Sequence, residues 1–348
     1  MIDSTNSHIE QVSVHNIGNK KNDEELVLSK ATIDTTDLRL KNLLVRYFLS
    51  PFSDMEFYNF SFSNDDIELN ALYNYASSLF EDSDSFHETS IKIATHLFDV
   101  SNHPNIKSGD LFVARFAGIE VNGDSKEAIG IFKSENKQPF FLIDRDSNEF
   151  SLKYDEGINI DKLDKGCLIF NMDKSEGYKV CIIDKSNKSF EAQYWKEDFL
   201  NIKPCSDNYH FTKEFLNITK NFVTKQVSEE FEIGKTDKID ILNRSVEYFK
   251  THDSFSKDEF EVEVFNNEDM IESFQNYDNA YRAENDISIK ENFEISANAV
   301  KKQARAFKSV LKLDKNFHIY IHGDKNKIEQ GREADGRKYY KIYYDNEQ

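Results

Sequence analysis

Two sets of residues have types and spacings that could do chemistry. The first is acidic: Asp110 opens one strand-like run, and Glu135-Asn136-Lys137 closes the next. Magnesium-dependent nucleases of the restriction-endonuclease type use an acid followed by acid-x-lysine, the carboxylates holding the ion and the lysine stabilising the attacking water. In a chain with 31% charged residues E-x-K also arises by chance, and Lys137 stands just before Pro139. A solvated turn is therefore the favoured reading. The second set is basic. Lys301, Lys302, Arg305, Lys308 and Lys312 fall along one edge of a helix predicted from Ala297 to Leu313, beside an apolar stripe of Val300, Ala304, Phe307 and Leu311. Such an edge can meet successive phosphates without reading bases, although any solvated amphipathic helix carries a similar stripe.

Other chemistries lose ground. The chain contains no GxxxxGK[ST], no GxGxxG after a strand, no GxSxG and no HExxH, which argues against the common nucleotide, hydrolase and metalloprotease classes. His318 and His322 share a strand face but lie about 13 Å apart at roughly 3.3 Å per residue, too far to chelate one ion. Cys167, Cys181 and Cys205 form no CxxC pair and fit a reducing compartment as plain core thiols. Neither a metal site nor a cofactor is expected.

Charge divides the chain. In total 63 Asp plus Glu face 44 Lys plus Arg, a net −19, which argues against coating nucleic acid by bulk attraction. Residues 295–348 run the other way, with 12 basic and 7 acidic side chains. Any phosphate contact is thus expected to be local, at the C-terminal end. Residues 258–286 hold ten acids against Arg282 alone and would repel DNA, so they read as a solvated helical face or a docking surface for a basic partner.

The elements that must position these residues follow from periodicity. Short strands at Ile9–Val14 and Glu25–Leu28 flank a turn near Gly18-Asn19, and Thr36-Asp37 opens a helix that ends at Ser50-Pro51. A second helix, capped near Asn64 or Asp65, carries Leu69 through Phe80, and Ser85 with Glu88 suggests a capping box for a third. Between Gly109 and Asp184, six β-rich runs joined by short turns such as Asn122-Gly123-Asp124 predict a central antiparallel sheet, because parallel crossovers need longer links. Helices return from Asn208, with Thr236 and Ser256 as expected caps, and a helix plus β-meander turning at Asp335-Gly336 closes the chain. The fold class is α+β, with expected domains at 1–205 (α+β), 206–290 (helical) and 291–348 (basic helix plus meander). The amino terminus lacks the cationic start and apolar run of a signal peptide, and no apolar window is long enough to span a membrane.

The segments Gly109-Asp110-Leu111-Phe112-Val113-Ala114 and Gly130-Ile131-Phe132-Lys133, the helix from Phe211 to Phe222, and the tail from Phe293 through Lys338-Tyr339-Tyr340-Lys341-Ile342-Tyr343-Tyr344 together resemble bacterial nucleoid-associated proteins of the NdpA or YejK type. The likeness spans most of the chain and includes no catalytic signature. It implies a cytoplasmic, nucleoid-localised protein that binds DNA directly or through a DNA-handling protein, without enzymatic activity. Three mechanisms stand beside one another: direct phosphate contact by Lys301, Lys302, Arg305, Lys308 and Lys312, doubled if the chain is a homodimer; an acidic adaptor docked on a basic partner; or a nuclease using Asp110, Glu135 and Lys137.

Overall fold

The structure, a computed structural model, describes residues 2–53, 55–63, 66–146, 149–185, 194–307, 310–321 and 327–347. The chain divides into two compact units, Met1–Cys205 and Ser206–Gln348.

The first unit is built on an antiparallel sheet. Its strands are β1 (Ile2–Asp3), β2 (His8–Ile17), β3 (Leu26–Val27), β4 (Tyr58–Phe60), β5 (Gly109–Val121), β6 (Asp124–Ser134), β9 (Lys165–Phe170), β10 (Lys179–Asp184) and β11 (Ile202–Pro204), in the order β11-β4-β10-β9-β6-β5-β2-β3, with β1 also on β5. Asn122 and Gly123, both with positive φ (53° and 90°), make the tight turn between β5 and β6. One face carries α2 (Ala71–Glu81) and α3 (Phe86–Val100) over Ile129, Ile131, Cys167 and Ile169; the other carries the end of α1 (Leu38–Leu49), whose Phe48 stacks on Phe132 at 4.3 Å. Burial on both faces explains why β6 and β9 read as nearly continuous apolar runs.

Two of the six runs expected in the central sheet leave it. Lys137–Asp146 (β7) and Glu149–Ile158 (β8) pair with each other alone, in a regular ten-residue register from Lys137↔Ile158 to Asp146↔Glu149. The cap expected at Asp37 is present, and others differ. Asp37 caps α1 by accepting from the Arg39 and Leu40 amides at 2.8 and 3.2 Å. Asn70 caps α2 by accepting from the Tyr73 amide, so that helix starts later than expected, after a short turn Ile67–Leu69; Asn64 and Asp65 lie outside the described residues. Ser85 makes no cap bond and donates instead to the Asp82 carbonyl.

The second unit is helical with small hairpins. Its helices are α4 (Asn208–Asn221), continued through a π-type turn Phe222–Gln226 to Val227–Glu230, α5 (Lys235–Thr251), α6 (Lys257–Phe265), α7 (Glu268–Asn285) and α8 (Ala297–Ala304). The N-cap of α5 is Gly234, whose amide donates to Asp237, and Thr236 sits inside the helix; Ser256 makes no side-chain cap bond. The core is a stack of phenylalanines, including Phe215, Phe222, Phe255, Phe260 and Phe274, which Phe293, Val300 and Phe307 from the C-terminal segment join. Strands β12 (Ser254–Ser256) and β13 (Asn292–Glu294) pair, as do β14 (Val310–Leu313) with β15 (Phe317–Tyr320) and β16 (Ile328–Arg332) with β17 (Lys338–Ile342).

The long basic helix expected over Ala297–Leu313 is therefore two elements. Helix α8 stops at Ala304, Phe307 turns into the core, and Val310-Leu311-Lys312-Leu313 is a strand. The cause is legible afterwards: Leu311 is buried and Lys312 exposed beside it, as successive strand residues face opposite ways, and Asp314 takes a positive φ of 51° to reverse the chain into β15.

Candidate nucleic-acid interface

The acidic constellation falls apart on the two faces of the sheet. Asp110 stands opposite Ser134 in the β5–β6 register, and its carboxylate meets Lys137 Nζ at 3.2 Å and Asn16 Nδ2 at 2.8 Å. Glu135 turns the other way, to the side of Lys133, because neighbouring residues of a strand alternate in direction. Its carboxylate lies 3.1 Å from Lys133 Nζ and 3.9 Å from Lys165 Nζ, and Tyr194 donates to it at 3.4 Å. Lys137, placed by sequence in a turn, begins β7. Among the described residues no group of three or more His, Cys, Asp or Glu side chains could hold a metal ion.

What the sequence did not reveal is that Lys133 and Lys165 are buried. They are direct cross-strand neighbours on β6 and β9, and Lys165 is in turn opposite Asp184 on β10. Both side chains are essentially inaccessible, at 0% and 1%. Lys133 donates to the Lys107 carbonyl and to Tyr194, Lys165 donates to Asp184 at 2.9 Å, and both ammonium groups lie within 6 Å of the Tyr194 ring, at 5.7 and 5.6 Å. Burial pushes the Lys133 ammonium below its usual range, and Glu135 opposes that shift. Among the described residues, two cations and two carboxylates so enclosed form a closed knot in which their charges balance.

The basic residues of the second unit have the opposite environment. Lys301, Lys302 and Arg305 are exposed on and just beyond α8, Lys302 within 5.6 Å of the Tyr209 ring. Lys312 is exposed on β14. Lys308 lies outside the described residues. Lys312 also lines a groove of about 890 Å³ between the β14–β15 and β16–β17 hairpins, with Lys235, Arg332, Lys338, Phe317 and Tyr340 on its walls. None of Lys235, Lys312, Arg332 and Lys338 makes an ion pair with a described residue, whereas nearby Arg337, Lys341 and Lys327 are matched to Asp335, Glu329 and Asp345. Arg332 and Lys338 are direct cross-strand partners. Like charges so placed destabilise a hairpin, so an anion bound in the groove would relieve a standing repulsion.

The family model for the nucleoid-associated protein YejK matches residues 13–348, nearly the whole chain. The chain belongs to this family. Among curated proteins, no match is found. Membership gives this nucleoid-associated protein its general role, association with the bacterial nucleoid, and the match includes both the closed knot and the basic groove. No helix among the described residues is long and apolar enough to cross a membrane.

Proposed function

We propose that this nucleoid-associated protein contacts DNA directly, as a cytoplasmic binding protein and not an enzyme, through the basic surface of its second unit and with little sequence preference. Lys301, Lys302, Arg305 and Lys312, joined by the groove residues Lys235, Arg332 and Lys338, meet phosphate oxygens. The observation that carries this reading is the set of four groove cations that make no ion pair with a described carboxylate, in a chain of net charge −19. In so acidic a protein, unmatched cations clustered on one groove favour an anionic ligand over chance.

The test is binding of the full-length protein to a labelled duplex across a salt series, with a magnesium lane checked for cleavage. Each phosphate contact contributes about 0.9 to the slope of log affinity against log salt. Reversing Lys312, Arg332 and Lys338 to Glu should flatten that slope by roughly 2 to 3. Reversing Lys301 and Arg305 separately measures the share of α8. Absence of binding at low salt sinks direct contact, and cut DNA would bring back the nuclease.

A second reading, an acidic adaptor, is favoured by one feature. Asp278 and Glu261 of the acidic stretch are buried against Lys257, Arg282 and Gln275, but Glu230, Asp269 and Glu272 line an open cleft of about 510 Å³ with Tyr277. A basic partner protein would dock there, and its binding would be indifferent to the groove substitutions.

A further inference from the structure

The ribbon β7–β8 is the most exposed apolar feature of the first unit. Its register sorts the side chains onto two faces. One face holds Phe141 opposite Tyr154, Ile143 opposite Leu152, and Arg145 opposite Phe150, so five large apolar side chains form a continuous strip. They are 74%, 76%, 69%, 65% and 69% exposed for Phe141, Tyr154, Ile143, Leu152 and Phe150. The opposite face mixes Phe140 and Leu142 with Asp144, Ser151, Lys153 and Asp155. A two-stranded ribbon with an uncovered apolar face is only marginally stable in water alone, and a contiguous apolar strip on an otherwise acidic surface marks an interaction site.

We propose that this strip is covered by the same strip of a second copy of the chain, the two ribbons packed face to face and antiparallel about a two-fold axis. Charge decides against DNA as the occupant. The two strands carry Asp144, Asp146, Glu149, Asp155 and Glu156 against Lys137, Arg145 and Lys153, a net negative arm that would meet phosphates with repulsion. The strip is instead self-complementary. Arg145 stands at its outer end and Glu156, opposite Pro139, at its inner end, with the Ile143–Leu152 and Phe141–Tyr154 pairs between. Turning a copy end for end about an axis that crosses the strands at the middle of the strip sets the Arg145–Phe150 row of each chain over the Pro139–Glu156 row of the other, with Arg145 one strand spacing, about 4.8 Å, from Glu156 and within reach of it, and the aliphatic pair of each over the aromatic pair of the other. An isologous interface requires this pattern.

Area agrees. Aromatic and large aliphatic side chains of about 150 to 250 Å² each, exposed to the extents above, offer roughly 600 Å² per copy, or about 1,200 Å² for the pair. That reaches the lower bound of a standard specific interface. The proposal stands apart from DNA binding, which rests on the other unit. If both hold, a dimer presents two basic grooves, and bivalent contact would raise avidity without any new phosphate contact.

Sedimentation equilibrium of the full-length protein over roughly 1 to 100 µM, a range that brackets micromolar association, is the test. The wild type should show a mass of two chains, and Phe141→Lys with Leu152→Lys a mass of one chain with an unchanged far-ultraviolet spectrum. Arg145→Glu alone and Glu156→Arg alone should each weaken association at least tenfold, and the two together should restore it. A monomer throughout the range overturns the proposal, as does a dimer indifferent to Phe141→Lys with Leu152→Lys. Single changes that weaken association without mutual rescue overturn the antiparallel arrangement.

Discussion

Lysines 133 and 165 in the first unit and lysines 312 and 338 in the second have the same side chain and opposite fates. The first pair is buried beside Tyr194 and matched to Glu135 and Asp184. The second pair is exposed, unmatched by described carboxylates and, at Arg332–Lys338, set against like charge. A buried cation needs a partner because desolvation costs several kcal/mol; an exposed one needs none, so its charge stays available to a ligand. Lysine content therefore says little about phosphate binding until burial and partners are known. Of the segments that resemble the family, Gly130–Lys133 contributes to an internal knot and the tyrosine-rich tail contributes to the groove.

The largest expected effect comes from breaking the knot. Glu135→Ala leaves Lys133 without its carboxylate in a site that water cannot reach, and should destabilise the first unit by about 3 to 5 kcal/mol. Urea unfolding followed through Trp195, the chain's single tryptophan, reports on this unit because its indole lies in the same core. Lys133→Met combined with Glu135→Leu should lose far less, since a buried ion pair replaced by apolar groups of similar volume is often neutral. If the double change were as harmful as Glu135→Ala, the pair would not be the source of the cost. Neither variant should alter the salt slope of DNA binding per folded molecule.

A smaller effect follows from the other end of the same row of residues. His15 on β2 stands opposite Leu111, which stands opposite Lys133. Its Nδ1 accepts from the Ser29 amide at 3.2 Å, so its Nε2 carries the proton and donates to Ser90 Oγ at 3.0 Å. A second proton would put a donor against the Ser29 amide, and burial together with nearby His87 lowers its pKa from 6.5 to about 4. Between those values the unfolded chain binds a proton that the folded chain refuses. The stabilisation is complete above pH 6.5 and is lost as pH falls towards 4, amounting to about 3 kcal/mol at most. His15→Gln, which keeps a donor for Ser90, should flatten the fall in urea midpoint between pH 7 and pH 5 relative to the wild type. An unchanged pH profile would mean that His15 already protonates in the folded state.

The α+β class and the antiparallel pairing of the central strands were readable because alternation and positive-φ turn residues such as Asn122-Gly123 are local signals. The three-residue strands β4 and β11 were not, since Tyr58–Phe60 is a strand by pairing with distant β10 and β11, and Ile202–Pro204 by pairing with β4. The sequence pattern runs past the end of helix α8 because Leu311 continues the apolar helical spacing of Val300, Ala304 and Phe307, while its burial comes instead from strand packing on Ile239 and Ile321. The basic residues are legible as a group, but the pairing of Arg332 with Lys338 is not, because the turn at Asp335-Gly336 can be read from sequence while the register of its strands cannot. The carboxylates of the suspected nuclease were visible in sequence; their direction was not, because facing depends on register and on where a strand ends.

The smallest effect probes the exposed side of the comparison most directly. If Arg332 and Lys338 are held opposite each other for the sake of a bound anion, replacing one should help the free protein while harming the complex. Lys338→Thr removes the repulsion and places a β-branched residue on the pleat, and should slow amide hydrogen exchange in β16–β17 by an amount corresponding to about 0.2 to 1 kcal/mol. The gain should shrink at high salt, where the repulsion is already screened. The same variant should bind duplex DNA more weakly and with a salt slope lower by about 0.9, the share of one phosphate contact. Stability gained with affinity lost identifies a charge retained for a ligand. Stability gained with affinity unchanged would remove Lys338 from the interface, leaving Lys312 and the cations of α8 to carry the contact.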